Sequence, residues 1–265
     1  MRKIIFLIIV LSALISTTLS AQSINPRVEL GTVFTTGKVS SGGGFRIPND
    51  ISLSVGSKLG FRFGAGVEIG LAEFGNSSLY FVPSLNYKMH GLKVAEIGPD
   101  FMYNLPFSDF GGVTEDSRGK IVANMHDISL PLNLGMRMEV TDLFAVSFEV
   151  GPYLQYTLSA KAKATIENHT YESDLLKESN MDDSDSSSPS NPFTGLIKKF
   201  DAGLGANVAF EYSKFFLRMG YNHSMMNRFN SSHSFLSSME EEMKKQVEKI
   251  NFKTNGCYVT LGYRF

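Results

Sequence analysis

The chain has 265 residues, 25 Lys and Arg against 26 Asp and Glu, a net charge of −1 and no Trp. That balance leaves no basic surplus for nucleic acid, and the single cysteine, Cys257, excludes an internal disulfide. Beyond the amino-terminal leader, no apolar run approaches the ~20 residues of a helical membrane span.

The leader reads Met1-Arg2-Lys3, is apolar from Ile4 to Ile15, then turns small and polar through Ser16 to Gln22. A basic head, a short apolar run and a small-residue site predict a secretory signal peptide over residues 1–21, although Leu19 fits the cleavage site poorly. An uncleaved membrane helix is the alternative, and the run is short for it. No cysteine lies near the site, which excludes a lipoprotein anchor. Cleavage removes Arg2 and Lys3, so residues 22–265 carry 23 basic against 26 acidic residues, a net charge of −3.

The mature part reads as strands with one apolar and one polar face. Over residues 27–36, Val28, Leu30, Thr32 and Phe34 oppose Glu29, Gly31, Val33 and Thr35; a Gly/Ser-rich loop follows. Over 58–72, Phe61, Phe63, Ala65, Val67, Ile69 and Leu71 alternate with Arg62, Gly64, Gly66, Glu68 and Gly70. The glycine spacing is no nucleotide fingerprint, because no helix follows it. A third strand spans 78–89, a fourth 126–139 after a long segment in which 92–97 extends a strand, and a fifth 143–160. The segment 161–199 is polar, with the disordered-loop composition of Met181 to Pro189. Strands six and seven cover 200–212 and 214–225. The last strand, 257–265, alternates Cys257, Val259, Leu261, Tyr263 and Phe265 with polar or small residues and ends on the aromatic Phe265.

The connections alternate long and short along the whole chain. Outer-membrane barrels have short periplasmic turns, long external loops and an even strand number. In lipid a chain without apolar helices must close a barrel to satisfy its backbone. The expected fold is therefore all-β: an eight-stranded antiparallel up-and-down transmembrane β-barrel with long external loops and both termini periplasmic. The apolar faces meet lipid, with Cys257 among them, and the polar faces line the lumen.

These segments resemble a PorT-like, porin-family outer-membrane β-barrel domain of Gram-negative bacteria. The likeness rests on residues 27–34, 60–71, 128–138 with Leu130-Pro131-Leu132, 148–156 with Gly151-Pro152-Tyr153, 200–212, 215–222 and the closing Leu261-Gly262-Tyr263-Arg264-Phe265. It implies insertion into outer-membrane lipid by the barrel assembly machinery, which reads Leu261, Tyr263 and Phe265. The family brings no shared catalytic residues and no cofactor.

The strand parity puts Glu29, Arg62, Glu68, Lys88, Arg137, Glu149, Asp201, Glu211, Arg218 and Arg264 on the lumen side, five acidic and five basic. An eight-stranded barrel is only wide enough for side chains, and buried charges must be paired. The expectation is a salt-bridge plug; a polar channel or proton path is the alternative. Asp182, Asp183 and Asp185, with Asp174 and Glu178, are candidates for Ca²⁺ but lack the glycine and distal Glu of an EF-hand, so a solvated loop and no metal site is expected. Leu236, Met239, Met243, Val247 and Ile250, with Ser238 and Glu241 as a capping box, predict an amphipathic helix in the last external loop. It lies over the rim or binds a partner. His126 and His223 fall near external strand ends, with His90, His169 and His233 elsewhere; Ser224 beside His223 is not by itself a triad. The expected function is non-enzymatic: a structural, adhesive or binding barrel that engages an extracellular ligand or protein through its external loops. A narrow porin-like channel and an outer-membrane lipid-modifying enzyme are the alternatives.

Overall fold

The computed structural model describes residues 23–41, 55–97, 119–166, 169–176, 195, 197–230 and 250–265. The expected signal peptide, His233, Glu178, Asp182, Asp183 and Asp185, and the predicted helix up to residue 249 lie outside these residues; the last residue assigned to that helix, Ile250, stands in a strand instead. Nine strands form among them: β1 Ile24–Ser41, β2 Val55–Phe74, β3 Ser77–Ile97, β4 Gly119–Glu139, β5 Phe144–Ile166, β6 His169–Asp174, β7 Phe200–Tyr212, β8 Phe215–Ser224 and β9 Ile250–Arg264.

Every pairing is antiparallel. β1 pairs with β2 and β9, β2 with β3, β3 with β4, β4 with β5, β5 with β7, β7 with β8, and β8 with β9. The sheet is therefore ring-like. Its register can be followed through outward-facing residues, from Phe210 to Leu217, Leu261, Leu30, Phe63, Tyr87, Ile128, Tyr156 and back to β7 at Phe200. The circuit returns ten positions along β7 from its start (Phe210 against Phe200). With ~3.3 Å per residue and ~4.8 Å between strands, that offset corresponds to strands tilted by ~40°.

Strand β6 differs from the eight-strand expectation, which left residues 161–199 as a loop. β5 instead continues to Ile166 and pairs with β6 from Lys161–Asp174 to Ile166–His169. The physical reason is an edge: β5 pairs with β7 only up to Tyr156–Phe200. Beyond it, unpaired backbone groups would be exposed on a long flat edge, and β6 takes the place that β7 leaves. The wall is completed by irregular segments. Gly195 N–H donates to Asp174 O, Ile197 N–H to Leu175 O, Lys198 N–H to Arg228 O, and Arg228 N–H to Phe252 O.

The short connections lie together at the opposite end. The β2–β3 turn uses Gly75 at φ +56°, and the β7–β8 turn places Ser213 at φ +55°. A positive φ lets a two-residue turn match the twist of its flanking strands.

Burial is inverted relative to a water-soluble protein. Leu261 is 60% and Val150 57% exposed, while Glu149 and Arg62 are each 3% exposed. The outward apolar belt runs from Phe210 to Phe200, which on the ~40° tilt is ~25 Å tall. Aromatic residues mark its two ends: Phe215, Tyr263 and Phe265 stack edge to face at the short-turn end, and Phe61, Tyr87, Tyr156 and Phe200 stand exposed toward the other.

Candidate functional site

The inward faces of the eight ring strands meet along the axis, and their side chains form stacked layers. Nearest the short turns, the Arg137 guanidinium donates to Glu68 through Nη1 (2.8 Å) and Nη2 (2.6 Å) and to Glu211 through Nε (2.9 Å). Arg264 joins the same two carboxylates at 3.3 Å. The planar fork of Arg suits such bidentate pairing.

The middle layer is centred on Glu149 and Glu29. Glu149 accepts from Arg27 (2.6 and 3.1 Å), Arg218 (3.1 Å), Tyr80 (3.2 Å) and Asn133 (3.3 Å). Glu29 accepts from Arg62 (3.0 and 3.2 Å), from Arg218, and weakly from Thr260 (3.4 Å). Three guanidiniums thus face two carboxylates. The surplus cation is met by aromatic faces: Arg62 lies 4.0 Å from the Tyr258 ring centre and Arg218 4.7 Å from that of Phe216.

Glycines make room for those rings. Tyr80, Phe216, Tyr258 and Tyr153 each lie opposite a glycine on the paired strand: Gly135, Gly262, Gly220 and Gly203. A Cβ at Gly135 would come within 3.0 Å of the Tyr80 ring atoms, and one at Gly220 within 3.0 Å of those of Tyr258. These four glycines are therefore the seats of inward aromatic rings, and the rings of Tyr80, Phe216 and Tyr258 in turn cover arginines.

The third layer is polar and buried. Asp127 accepts from His90 Nε2 (2.6 Å) and Gln155 Nε2 (2.7 Å), with Lys88 Nζ at 3.7 Å. Ser224 Oγ donates to Asp201 (2.7 Å), and Arg228 donates to Thr157 (2.6 Å) and Thr254 (3.2 Å). Between this layer and the middle one lies a cavity of about 10 Å³ lined by Arg62, Asn133, Tyr153, Asn207, Asn222 and Tyr258 among others. That is room for about one water molecule.

Above the polar layer the lumen becomes apolar. A β-bulge at Leu158, between the pairs Asp127–Thr157 and His126–Ser159, reverses the parity of β5. Ala160 and Ala162 then point inward with Leu92 and Met125, and Leu175 and Leu176 fold over them beside Ile197 and Phe252. Met125 and Ala160 are fully buried.

The ten charges expected on the lumen side are all placed inward. Nine of them take part in ion pairs; Asp201 is held by a serine instead. Sequence reasoning missed four members. Arg27 and Asp127 share the parity of Glu29 and Ser129 and so carried a usable signal. His90 was expected in a loop, whereas β3 continues through it. Arg228 lies outside any strand, and nothing in the pattern marks it.

The histidine and serine candidates do not converge. His223 is exposed on the outer face beside Tyr221, while Ser224 is buried on the inner face. His126 faces outward and shares a 2.6 Å hydrogen bond with the Tyr87 hydroxyl. No described histidine bonds to Ser224, whose hydroxyl donates to Asp201 and to Met226 O. Asp174 caps its own turn, accepting from Leu176 N–H (3.0 Å). Among the described residues no three His, Cys, Asp or Glu side chains gather as metal ligands. Leu261, Tyr263 and Phe265 lie in one row of the outer face, and Phe265 N–H donates to Pro26 O (2.9 Å).

A family profile described as outer membrane protein beta-barrel domain matches residues 20–230. No curated protein sequence matches the chain. Among solved structures, Ail, the attachment invasion locus protein of Yersinia pestis, is 11% identical, covering 92% of this chain and 99% of its own at a TM-score of 0.35. Neisserial surface protein A is 12% identical over 93% and 100% at 0.38. The outer membrane protease OmpT from Escherichia coli is 10% identical over 94% and 100% at 0.42.

Proposed function

Because the chain belongs to the outer membrane protein β-barrel domain family, we propose that its eight ring strands close a transmembrane barrel with a sealed lumen. In this proposal the barrel sits in the outer membrane with its short turns and termini in the periplasm. It acts without catalysis, through its external loops, as a structural, adhesive or binding protein, within a PorT-like branch of the family. A belt ~25 Å tall with aromatic ends supports the membrane placement, and the ten-position register offset over eight strands supports closure.

The observation that carries the sealed lumen is the stack itself. Two layers of ion-paired arginines and carboxylates fill the barrel, and a buried polar layer lies over them. The apolar cluster of Leu92, Met125, Ala160, Ala162, Leu175 and Leu176 closes the outer end. An ion entering there would have to shed its hydration without replacement ligands. With the interior filled, the surface left for a partner is external. Bilayer conductance tests this: folded protein inserted in planar bilayers is expected to leave the baseline unchanged. Steady unit currents whose ion selectivity moves with Glu149→Lys would refute it in favour of a narrow pore.

A further inference from the structure

The outer face of β2–β5 changes character abruptly above the apolar belt. The outward apolar residues run up to Leu59 on β2, Met89 on β3, Ile128 on β4 and Leu158 on β5. Beyond them come Lys58, Lys93, Lys120, Lys161 and Lys163, all exposed, and Val122 of β4 stands among these charged residues. The register gathers these lysines. One cross-strand row reads Lys58, Gly91, Asn124, Lys161, and the next Gly56, Lys93, Val122, Lys163. Two strand spacings separate Lys93 from Lys163, ~10 Å at the Cα atoms. Gly91 offers no side chain of its own, and Lys58 reaches across it to donate to Asn124 Oδ1 (2.8 Å).

Gathering like charges on one sheet face costs stability unless a counter-charge is present. Among the described side chains of this face, only Glu172 and Asp174 supply one. Both stand on β6, opposite Lys163 and Lys161, and Glu172 forms an ion pair with Lys163. Among the described residues, five lysines against two carboxylates leave a local charge of +3, on a chain whose net charge is −1. The patch begins where Tyr87 and His126, bonded to each other on the outer face, mark the end of the apolar belt. A tyrosine so placed sits at headgroup level.

We propose that this lysine field binds the phosphorylated sugar headgroups of the outer-leaflet glycolipid, lipid A being the form with the phosphates closest to the acyl chains. The position selects this partner. The lysines share a surface with the lipid-facing residues immediately below them, so a ligand can bury acyl chains on Phe61, Met89 and Leu158 while its phosphates meet the ammonium groups. A soluble anion would gain nothing from the lipid edge. Lysine suits phosphate as a mobile point charge, and attraction near a membrane surface is shared among several residues. The inference rests on the barrel spanning the outer membrane.

The test uses the full mature protein, folded in neutral detergent. Bound lipid is counted by native mass spectrometry with bisphosphorylated lipid A or its dephosphorylated form as the probe. At least about tenfold tighter retention of the phosphorylated form is expected. The preference should fall in high salt, and in Lys93→Gln/Lys161→Gln/Lys163→Gln, but not in Lys214→Gln at the periplasmic end. Equal retention of the two lipids by the native protein would overturn the inference, as would a preference that survives the triple substitution. Displacement by inorganic phosphate alone, with no need for acyl chains, would also overturn it in favour of a soluble anion. Failure of the barrel itself reads out separately, as loss of the heat-dependent shift in gel mobility before any lipid is added.

Discussion

Glu149 is the residue on which the sealed lumen can be tested most sharply by substitution. It accepts five hydrogen bonds from Arg27, Arg218, Tyr80 and Asn133 and is 3% exposed. Glu149→Gln keeps the volume but leaves Arg27, Arg62 and Arg218 facing Glu29 alone. It also turns an amide NH₂ toward two guanidiniums. Removing one partner of a buried, hydrogen-bonded ion pair costs ~3–5 kcal/mol, because the charge left behind has no solvent. The same pair in a water-filled channel would be worth ~0–1 kcal/mol. Urea unfolding in detergent micelles, followed by gel mobility, measures the difference. A double-mutant cycle with Arg27→Gln should then return a coupling of ~1–3 kcal/mol. A loss below ~1 kcal/mol with no coupling would mean that water reaches the layer, and the plug argument would fail.

Other expectations follow from single contacts. Gly135→Ala should drive the Tyr80 ring off Arg137 and Glu149 and cost ~1–3 kcal/mol as overpacking, whereas Gly56→Ala, with its nearest neighbour at 3.6 Å, should be accepted within ~1 kcal/mol. Gly75→Ala meets no atom within 4 Å, so its cost is the positive φ alone, ~1 kcal/mol, and Gly75→Asn should recover part of it. The hydrogen bond and charge of Lys163 hold the Glu172 carboxyl below its usual range. A lowered folded pKa gives a contribution that is present above the unfolded carboxylate range and is lost as pH falls through the folded value. Amide protection factors along β6 should therefore drop at acid pH, and less so in Glu172→Gln; identical pH dependence in the two would refute the link. Deleting Phe265, which is exposed and stacked on Tyr263, should reduce assembly in cells more than it reduces unfolding stability of refolded protein.

Much of this fold is legible in the chain because a barrel wall has two unlike sides. Period-two alternation separated Glu29, Arg62 and Glu149 from Leu30, Phe63 and Phe148 without any long-range information. The short turns were equally plain at Gly75 and Ser213. What failed was parity across a bulge. With one unpaired residue at Leu158, Lys161 and Lys163 turn outward while Ala160 and Ala162 turn inward. Neither the apolar cap nor the lysine field can be read without it. β6 was missed for a different reason: His169–Asp174 is polar and carries no strand periodicity of its own. It forms because the upper edge of β5 needs a partner. Arg27 and Asp127 lay within the legible pattern but at strand margins, where a single charged residue is hard to assign. Arg228 enters the lumen from an irregular segment that only the folded wall positions.

The most direct measurement is heat-modifiability of the mature protein taken from outer-membrane fractions, run in mild detergent with and without boiling. A paired, closed wall around an ion-paired interior should survive the unboiled gel as a compact, faster-migrating form and shift to its full apparent mass on heating. A single band that boiling does not move, from protein recovered in the soluble periplasm, would contradict the membrane barrel.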